Sequence, residues 1–541
     1  ALSSSLETKL MKFWTCEGLG VERDSIDVVD AQIDESISFE HGKYYIDLPK
    51  RDDEVLAGDN LRNASNRFKS LEKRFERDPN FERVYTAALQ EKIDLGVIEK
   101  VSCDDTGPAG MTYYMPHSAV IRADKVTTKV WIVFDASCKD NGVSLNDTLH
   151  KGIPRFTELF NVLQKIRVHK WVLFSDIEKA FYQIHLREMD KDLLRLLWRD
   201  EQGKPQVFRF RRVCFGLVPS MTLLGNVLKT HLGKFRKVLP QLVEHIEGSL
   251  YVDDLSLGAA TEKELWVMKQ NAQQIFLKGG FKLRKWVSNS AHLNKKIKSG
   301  GEKISEIDDS SIAEQLLGQG DAQGAKILGV GYEKDTDRLY ISVRDIAKNG
   351  LDLKKTKRNL LSMSASIYDP FGIISPVVLP LKLLFQKVCT PKIKWDDPLE
   401  EEHCKKWNEW CMAAIEHKGA YMKRNFLLPE HKKAKLVGFS DASDLAYAAV
   451  IFLVSEDEQG NKNVSFVASK SRIAPLDGLT TPRMELLGAL ILSRLIVKIK
   501  DALQGFVEIN EIRCLSYSEV ALWWILNTSS VYKQYVHERV K

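Results

Sequence analysis

The sequence predicts a multidomain α+β protein. Three observations point there. The chain has 541 residues, too many for one hydrophobic core. Between Tyr113 and Gly258, short β-rich runs alternate with helical runs. From Lys435 a different order begins: two strands, a third strand, a long helix, a strand and a helix.

Composition narrows the class only slightly. Apolar residues make up 44% and charged residues 28%, both ordinary for a globular protein. A net charge of +6 and a pI near 8.6 are compatible with a polyanionic partner without demonstrating one. The cysteines (Cys16, Cys103, Cys138, Cys214, Cys389, Cys404, Cys411, Cys514) are scattered, with no CxxC pair. His403-Cys404 has no companion pair at zinc-site spacing, so a reduced, intracellular, cytoplasmic chain is expected. The start, "ALSSSLETKL", lacks an initiator Met and a signal pattern. Both ends read as cut points in a longer polypeptide. "GIISPVVLPLKLLF" is broken by Pro376, Pro380 and Lys382 and does not read as a membrane span, so no membrane partner is expected.

Each element follows in order. In "NRFKSLEKRFERDPNFERVYTAALQEKIDLGVIEK" apolar residues recur at helical spacing between charges, which predicts one or two amphipathic surface helices. Strands are predicted at "VWIVFDAS", "KWVLFSDI", "QVFRFRRVCFG" and "SLYVDDLSLG". Helices are predicted at "IPRFTELFNVLQKIR" and "MTLLGNVLKTHLGKFRKVL". The basic stretches "NSAHLNKKIKSGGEK" and "DLKKTKRN" read either as solvated linker or helix face, or as contacts to a nucleic-acid backbone. Farther on, "AKLVGFSDASDLAYAAVIFLV" is a strand ending at Asp441, a turn and a second strand, and "NVSFVASKSRI" is a third. "TTPRMELLGALILSRLIVKIK" is a helix with Thr481 as cap, Pro482 in the first turn and Glu485 one turn in. "EIRCLSYSEVALWWIL" is a strand followed by a helix. There is no internal repeat.

Two segments carry chemistry. In "KWVLFSDIEKAFYQIHL" a strand ends at Asp176 and a helix-like run follows. In "SLYVDDLSLG" the apolar flanks make a hairpin whose tip carries Asp253 and Asp254. Alone, each aspartate is a cap or turn residue. Together they are clustered carboxylates on adjacent strands, which repel unless cations fill them. Oxygen ligands of this kind suit Mg²⁺, and two such ions clamp the attacking and leaving oxygens of phosphoryl transfer.

"FSDIEKAFYQI", "RVCFGLVPS", "YVDD" and "GGFKLRKWVSN" resemble, in order, the motifs of reverse transcriptases. "YYMPHSAVIRADKVTTK…FDAS", "SLNDTLHKG", "IYDPFGIISP" and "TTPRMELLGAL" are similar to the Pol polyprotein of BEL/Pao-type LTR retrotransposons, and the match runs from about Phe13 to the end. The resemblance implies a right-hand polymerase fold of fingers, palm and thumb, then a connection region and an RNase H-like α/β domain. It divides the chain into a charged helical segment (1–100), fingers and palm (101–285), and a thumb-like region with a primer-grip-like hairpin (286–350). A connection (351–434) and a C-terminally truncated RNase H-like domain (435–541) follow.

By the same resemblance, Asp176 and Asp253, with Asp254 beside them, hold two Mg²⁺ ions, or Mn²⁺, for nucleotidyl transfer onto a primer 3′-hydroxyl. Phe181 is the steric gate against a ribose 2′-hydroxyl; its plain reading is a core aromatic. Phe215 and Gly216 line the nucleotide pocket. Lys285, or Lys282, faces the departing pyrophosphate, or is an ordinary surface lysine. "ILGVGY" (Ile327–Tyr332) is a hairpin gripping the primer, or just a strand. Implied partners are a primed RNA or DNA template, dNTPs, and the protease and integrase of the same polyprotein, in a virus-like particle.

Two positions depart from the family. Where it has a basic residue, "TTKVWIVFDAS" has Trp131, whose one N–H cannot neutralise a triphosphate; Lys129 or Arg122 would compensate in part. In the RNase H-like domain, Asp441 and Glu485 match acidic metal ligands, but Tyr517 stands where an aspartate is expected, with Glu519 two residues on. Little or no RNase H activity is therefore expected. The tripeptide Asp105-Thr106-Gly107 lacks the apolar strand and the second copy an aspartic protease needs. The rival to a polymerase is a nucleic-acid-binding relic that keeps the fold and polymerises poorly.

Overall fold

The structure is a computed structural model that describes residues 26–102, 104–121, 130–299, 325–389, 392–417, 419–428, 433–476, 478–527 and 532–540. Arg122, Lys129, Cys16 and Cys103 lie outside these residues.

Helices α1 (Leu61–Arg77) and α2 (Pro79–Asp94) confirm the charged amphipathic pair. The break between them is chemical: Asp78 accepts the Phe81 N–H at 3.0 Å, and Pro79 opens the second helix. Phe68, Leu71, Phe75, Phe81, Tyr85 and Leu89 point inward and are buried. They pack with the sheet of Ile98–Lys100, Pro205–Phe210 and Arg195–Arg199. The first hundred residues also hold a hairpin, Ser38–Glu40 with Lys43–Ile46, which sequence reading missed. Its second strand is secured by parallel pairing with the distant Ile184–Leu186. A second hairpin, β1 (His117–Ile121) with β2 (Val130–Phe134), carries the "VWIVF" run.

Helix α3 (Leu159–Ile166) leads into β3 (Trp171–Ile177). Helices α4 (Ser220–Gly233) and α5 (Pro240–Ser249) precede the short strand β4 (Leu250–Tyr251) and β5 (Asp254–Ala259). Helix α6 (Glu262–Lys278) and strand β6 (Leu283–Ser288) complete an antiparallel sheet in the order β4-β5-β3-β6. Strand β3 is apolar almost throughout because both faces are covered. Leu173 and Ile177 join the core shared with the helices, while Val172 and Phe174 join a second core. Burial of each such side chain contributes roughly 1.5–3 kcal/mol. The run after Asp176 is not the expected helix. The strand continues to Ile177, and one 3-10 turn (Ala180–Gln183) leads straight into another strand. Phe181 and Tyr182 are held there by tertiary packing rather than by helical periodicity.

The second core belongs to a four-stranded antiparallel sheet: β7 (Ala325–Ile327), β8 (Val330–Glu333), β9 (Arg338–Ile341) and β10 (Ala420–Lys423). Strands β7 and β8 make a hairpin of "ILGVGY", with Leu328 and Gly329 at positive φ in the turn. Helix α7 (Ser375–Val388) contains Pro380, and no helix among the described residues is long and apolar enough to cross a membrane.

The last sheet is β11 (Lys433–Ala442), β12 (Ala446–Glu456), β13 (Lys462–Ile473) and β14 (Ile509–Ser516), in the order β13-β12-β11-β14 with β14 parallel to β11. Helix α8 (Thr481–Leu503) covers one face, and α9 (Glu519–Leu526) follows β14. Thr480, not Thr481, is the residue before α8; Pro482 lies in its first turn as expected.

Two fully buried arginines tie the segment leading into the strand that carries Asp176 to the last two sheets. Arg424, just past β10, donates to the carbonyls of Ile166, His169 and Lys170 at 2.7–2.8 Å and pairs with Asp337 at 2.6 Å. Arg167 donates to the carbonyls of Phe466 and Val467 in β13, at 2.6 and 3.1 Å. Desolvation, with Arg424 beside it, lowers the Arg167 guanidinium to about 9. The entry into β3 is thus tied down from two other parts of the chain.

Candidate active site

Strand register builds the site. Asp254 of β5 lies directly opposite Asp176 of β3, and Arg284 of β6 lies opposite Asp176 on the other side. Directly opposed residues share one face of a sheet, so an acid, an acid and a base form a row across three strands. Like charges in that position repel, and Asp176 is only 5% exposed. Arg284 answers this: its Nε donates to Asp176 Oδ2 at 3.1 Å, and its Nη1 reaches Glu178 at 3.5 Å. Lys282 also pairs with Glu178, at 3.4 Å, from the surface. Lys285 is buried beside a bulge in β6, between the pairings of Arg284 and Val287.

The hairpin is tighter than its sequence suggests. Tyr251 pairs with Asp254, so Val252 and Asp253 alone form the turn and Asp254 already belongs to the strand. Val252 has φ +58°, a costly conformation for a β-branched residue, on the order of 1–3 kcal/mol. The surroundings hold it. The Ile177 N–H donates to the Asp253 carbonyl at 2.8 Å, and Tyr251 packs on the second core. Lys179 and Lys285, in the segments flanking Asp176, also have positive φ. Asp176, Asp253 and Asp254 are hard oxygen donors of the kind Mg²⁺ takes. Among the described residues, no group of three or more His, Cys, Asp or Glu side chains is closed into a ready metal cage.

Beyond the turn sit the aromatic positions. Phe181 is buried, with its ring 4.7 Å from that of Phe215. Phe215 in turn meets Trp131 edge-on at 5.7 Å. Gly216 has φ +100°, and a Cβ there would lie 2.4 Å from the Phe134 carbonyl oxygen, so only glycine lets β2 approach this loop. Asn146, not singled out from the sequence, ties the loop down by donating to the Gly216 carbonyl and accepting from the Val218 N–H, both at 2.9 Å.

The acids of the last sheet are arranged differently. Asp441 is exposed near the end of β11. Glu485 accepts a 2.5 Å hydrogen bond from Ser518 Oγ, while Ser518 caps α9 through the Ala521 N–H at 3.1 Å. Tyr517 is 98% exposed, and Glu519 begins α9. Asp105 of the Asp-Thr-Gly tripeptide pairs with the buried Arg195 at 2.9 Å and accepts the Gly107 N–H, a structural assignment.

Two segments of the chain match family models. Residues 134–304 match reverse transcriptase (RNA-dependent DNA polymerase), and residues 356–518 match the Pao retrotransposon-like RNaseH-like domain. No curated protein matches the chain. The structure of the foamy viral protease-reverse transcriptase in complex with RNA/DNA hybrid aligns at 14% identity and TM-score 0.51, over 96% of this chain and 62% of that one. The foamy viral protease-reverse transcriptase dRH in complex with double-stranded DNA aligns at 15% identity and TM-score 0.48, over 83% and 65%. The first likeness shows the fold, a reverse transcriptase architecture followed by an RNase H-like domain. This chain spans 62% of the length of that foamy viral protein.

Proposed function

We propose that this chain, which joins a reverse transcriptase domain to a Pao retrotransposon RNaseH-like domain as a BEL/Pao-type Pol polyprotein does, is an RNA-directed DNA polymerase. The row Asp254–Asp176–Arg284, set beside the strained Val252-Asp253 turn, supports this reading most. Asp176, Asp253 and Asp254 are the residues to hold two Mg²⁺, or Mn²⁺. When bound, the ions activate the primer 3′-hydroxyl and neutralise charge on the phosphates. The strands supply rigid placement of the carboxylates, and Arg284 balances their charge. Phe181, braced by Phe215, is the gate against a 2′-hydroxyl. Phe215 and Gly216 line the pocket, and Arg122, Lys129 and Lys285 serve the phosphates.

The substrates on this reading are dNTPs and a primed RNA or DNA template, gripped largely through phosphate charge and therefore salt-dependent. Protease and integrase segments of the polyprotein are the further partners, and a cytoplasmic virus-like particle is the setting. The RNase H-like domain, with Tyr517 in place of a carboxylate, holds hybrid without cutting it. Primer extension with labelled dNTPs and Mg²⁺ tests the assignment. Extension on an RNA template by the wild-type chain, absent in Asp253→Asn, is the expected result. Equal extension by both would remove Asp253 from the chemistry.

A further inference from the structure

The segment "IYDPFG" (Ile367–Gly372) lies outside the carboxylate row, yet it reaches several parts of the fold. At one end, Tyr368 Oη donates to the Leu328 carbonyl at 3.1 Å, in the turn between β7 and β8. The ring covers Gly329 so closely that a Cβ there would come within 3.0 Å of it. At the other end, the loop is docked on β13. The Ser469 N–H donates to the Phe371 carbonyl at 2.8 Å, and Ser469 Oγ donates to the Gly372 carbonyl at 2.6 Å. Gly372 has φ +77°, and a Cβ there would lie 2.1 Å from the Ser469 carbonyl oxygen, so the docking requires glycine. The middle is held as well. Asp369 caps the entry to α7 by accepting the Ile373 and Ile374 N–H groups at 3.1 and 2.9 Å. Phe371 is fully buried, with the Arg167 guanidinium 5.2 Å from its ring centre.

Tyr368 also neighbours the carboxylate turn. Partial burial, and then the Tyr251 phenol beside it, push the Tyr368 phenol up to about 12, so its O–H is intact at neutral pH and donates. Tyr251 directly precedes the Val252-Asp253 turn and pairs with Asp254. Two strained turns therefore meet at one tyrosine, with Val252 at φ +58° and Leu328 at φ +48°. Non-glycine residues persist in that region only where their surroundings hold them. Tyr251 and Leu328 pack on the same second core, and Phe466 of β13 joins them there.

We propose that Tyr368 is a positioning residue for Asp253 and that the RNase H-like sheet is its brace. Strand β13 fixes the Phe371-Gly372 end of the loop, and Tyr368 at the other end holds both turns. A sheet whose own carboxylate set is incomplete thus has a use in the half that carries Asp176. The kinetic consequence rests on the polymerase reading; the brace itself does not.

Two variants test this from opposite ends of the loop. Tyr368→Phe removes the bond to Leu328 and keeps the ring, while Ser469→Ala removes the side-chain bond to Gly372. Hydrogen exchange reads the turn without turnover, at the Ile177 N–H that donates to the Asp253 carbonyl. Tyr368→Phe should speed that exchange by about 5- to 10-fold and leave the urea midpoint of the whole chain unchanged. In primer extension it should lower kcat by about 10-fold, with KM for dNTP and affinity for the primed template within about 2-fold of wild type. Ser469→Ala should act in the same direction and add less than about 2-fold to Tyr368→Phe, because both interrupt one path. Thermal melts identify a variant that has not folded, and the other variant then decides. Unchanged exchange at Ile177 overturns the brace, as does a loss confined to KM or full additivity of the two changes. Faster exchange in the variants with no extension by the wild-type chain supports the brace and overturns the polymerase reading.

Discussion

The chain carries two acidic sites at the ends of strands, and they differ in how deeply the fold depends on them. Asp176 lies inside a sheet covered on both faces, opposite one aspartate and one arginine. Asp441 lies exposed, and the residue expected to complete its set is a tyrosine at 98% exposure. The first set is coupled to folding, because a buried carboxylate needs its cation. The second set is coupled to little. Glu485 is satisfied by a neutral Ser518 hydroxyl, and an exposed position changes identity at almost no cost in stability. The lesson is that a strand-end carboxylate is tied to folding when it also belongs to a buried ion pair, and is free of it when it sits exposed.

The largest way to break this contrast is at the charge itself. Arg284→Met leaves buried carboxylates uncompensated and should cost about 3–5 kcal/mol in urea unfolding. The equivalent step in the other site, Asp441→Asn, should fall within about 0.5 kcal/mol. Equal effects would contradict the comparison.

Acid should separate the two regions next. His117 is fully enclosed, within hydrogen-bonding distance of Tyr85 Oη, and desolvation lowers its imidazole to about 4 from the ordinary 6.5. Above pH 6.5 both folded and unfolded imidazoles are neutral and stability is complete. Below it the unfolded chain binds a proton that the folded state excludes, so stability falls until the folded imidazole protonates near pH 4. The loss is about 3 kcal/mol from this group alone. Desolvation lowers His169 and His185 to about 4 in the same way. Among the described residues, the RNase H-like sheet and its helix bury no histidine. Hydrogen exchange should therefore show the half that carries Asp176 opening first on acidification, and His117→Gln should flatten the pH slope of its unfolding.

Much of this was legible in the sequence and some was not. Two aspartates inside "SLYVDDLSLG" announced themselves, since charge in an apolar run requires a reason. The strand and helix order after Lys435 could be read from periodicity alone. Arg284 could not, because its pairing with Asp176 spans 108 residues and depends on strand register. The strain at Val252 arises from a two-residue turn whose limits only the pairing reveals. Arg167 and Arg424 look like surface bases in sequence and become buried ties only when three parts of the chain meet. Phe181 and Tyr182 carried apolar spacing that suited a helix, and packing against Phe215 made it a single turn.

Smaller changes sharpen the account. Val252→Gly should raise the free energy of urea unfolding by about 1 kcal/mol through relieved strain, while slowing extension through a looser turn. Tyr517→Asp, at an exposed site, should leave stability within about 0.5 kcal/mol and give at most slow cutting of hybrid RNA.

One gel tests the central claim most directly: an RNA/DNA hybrid with the primer and the RNA strand carrying different labels, incubated with the chain, Mg²⁺ and dNTPs. The account predicts that the wild-type chain lengthens the primer and leaves the RNA whole, and that Asp253→Asn neither lengthens the primer nor cuts the RNA. RNA cleaved while the primer stays unextended would contradict it.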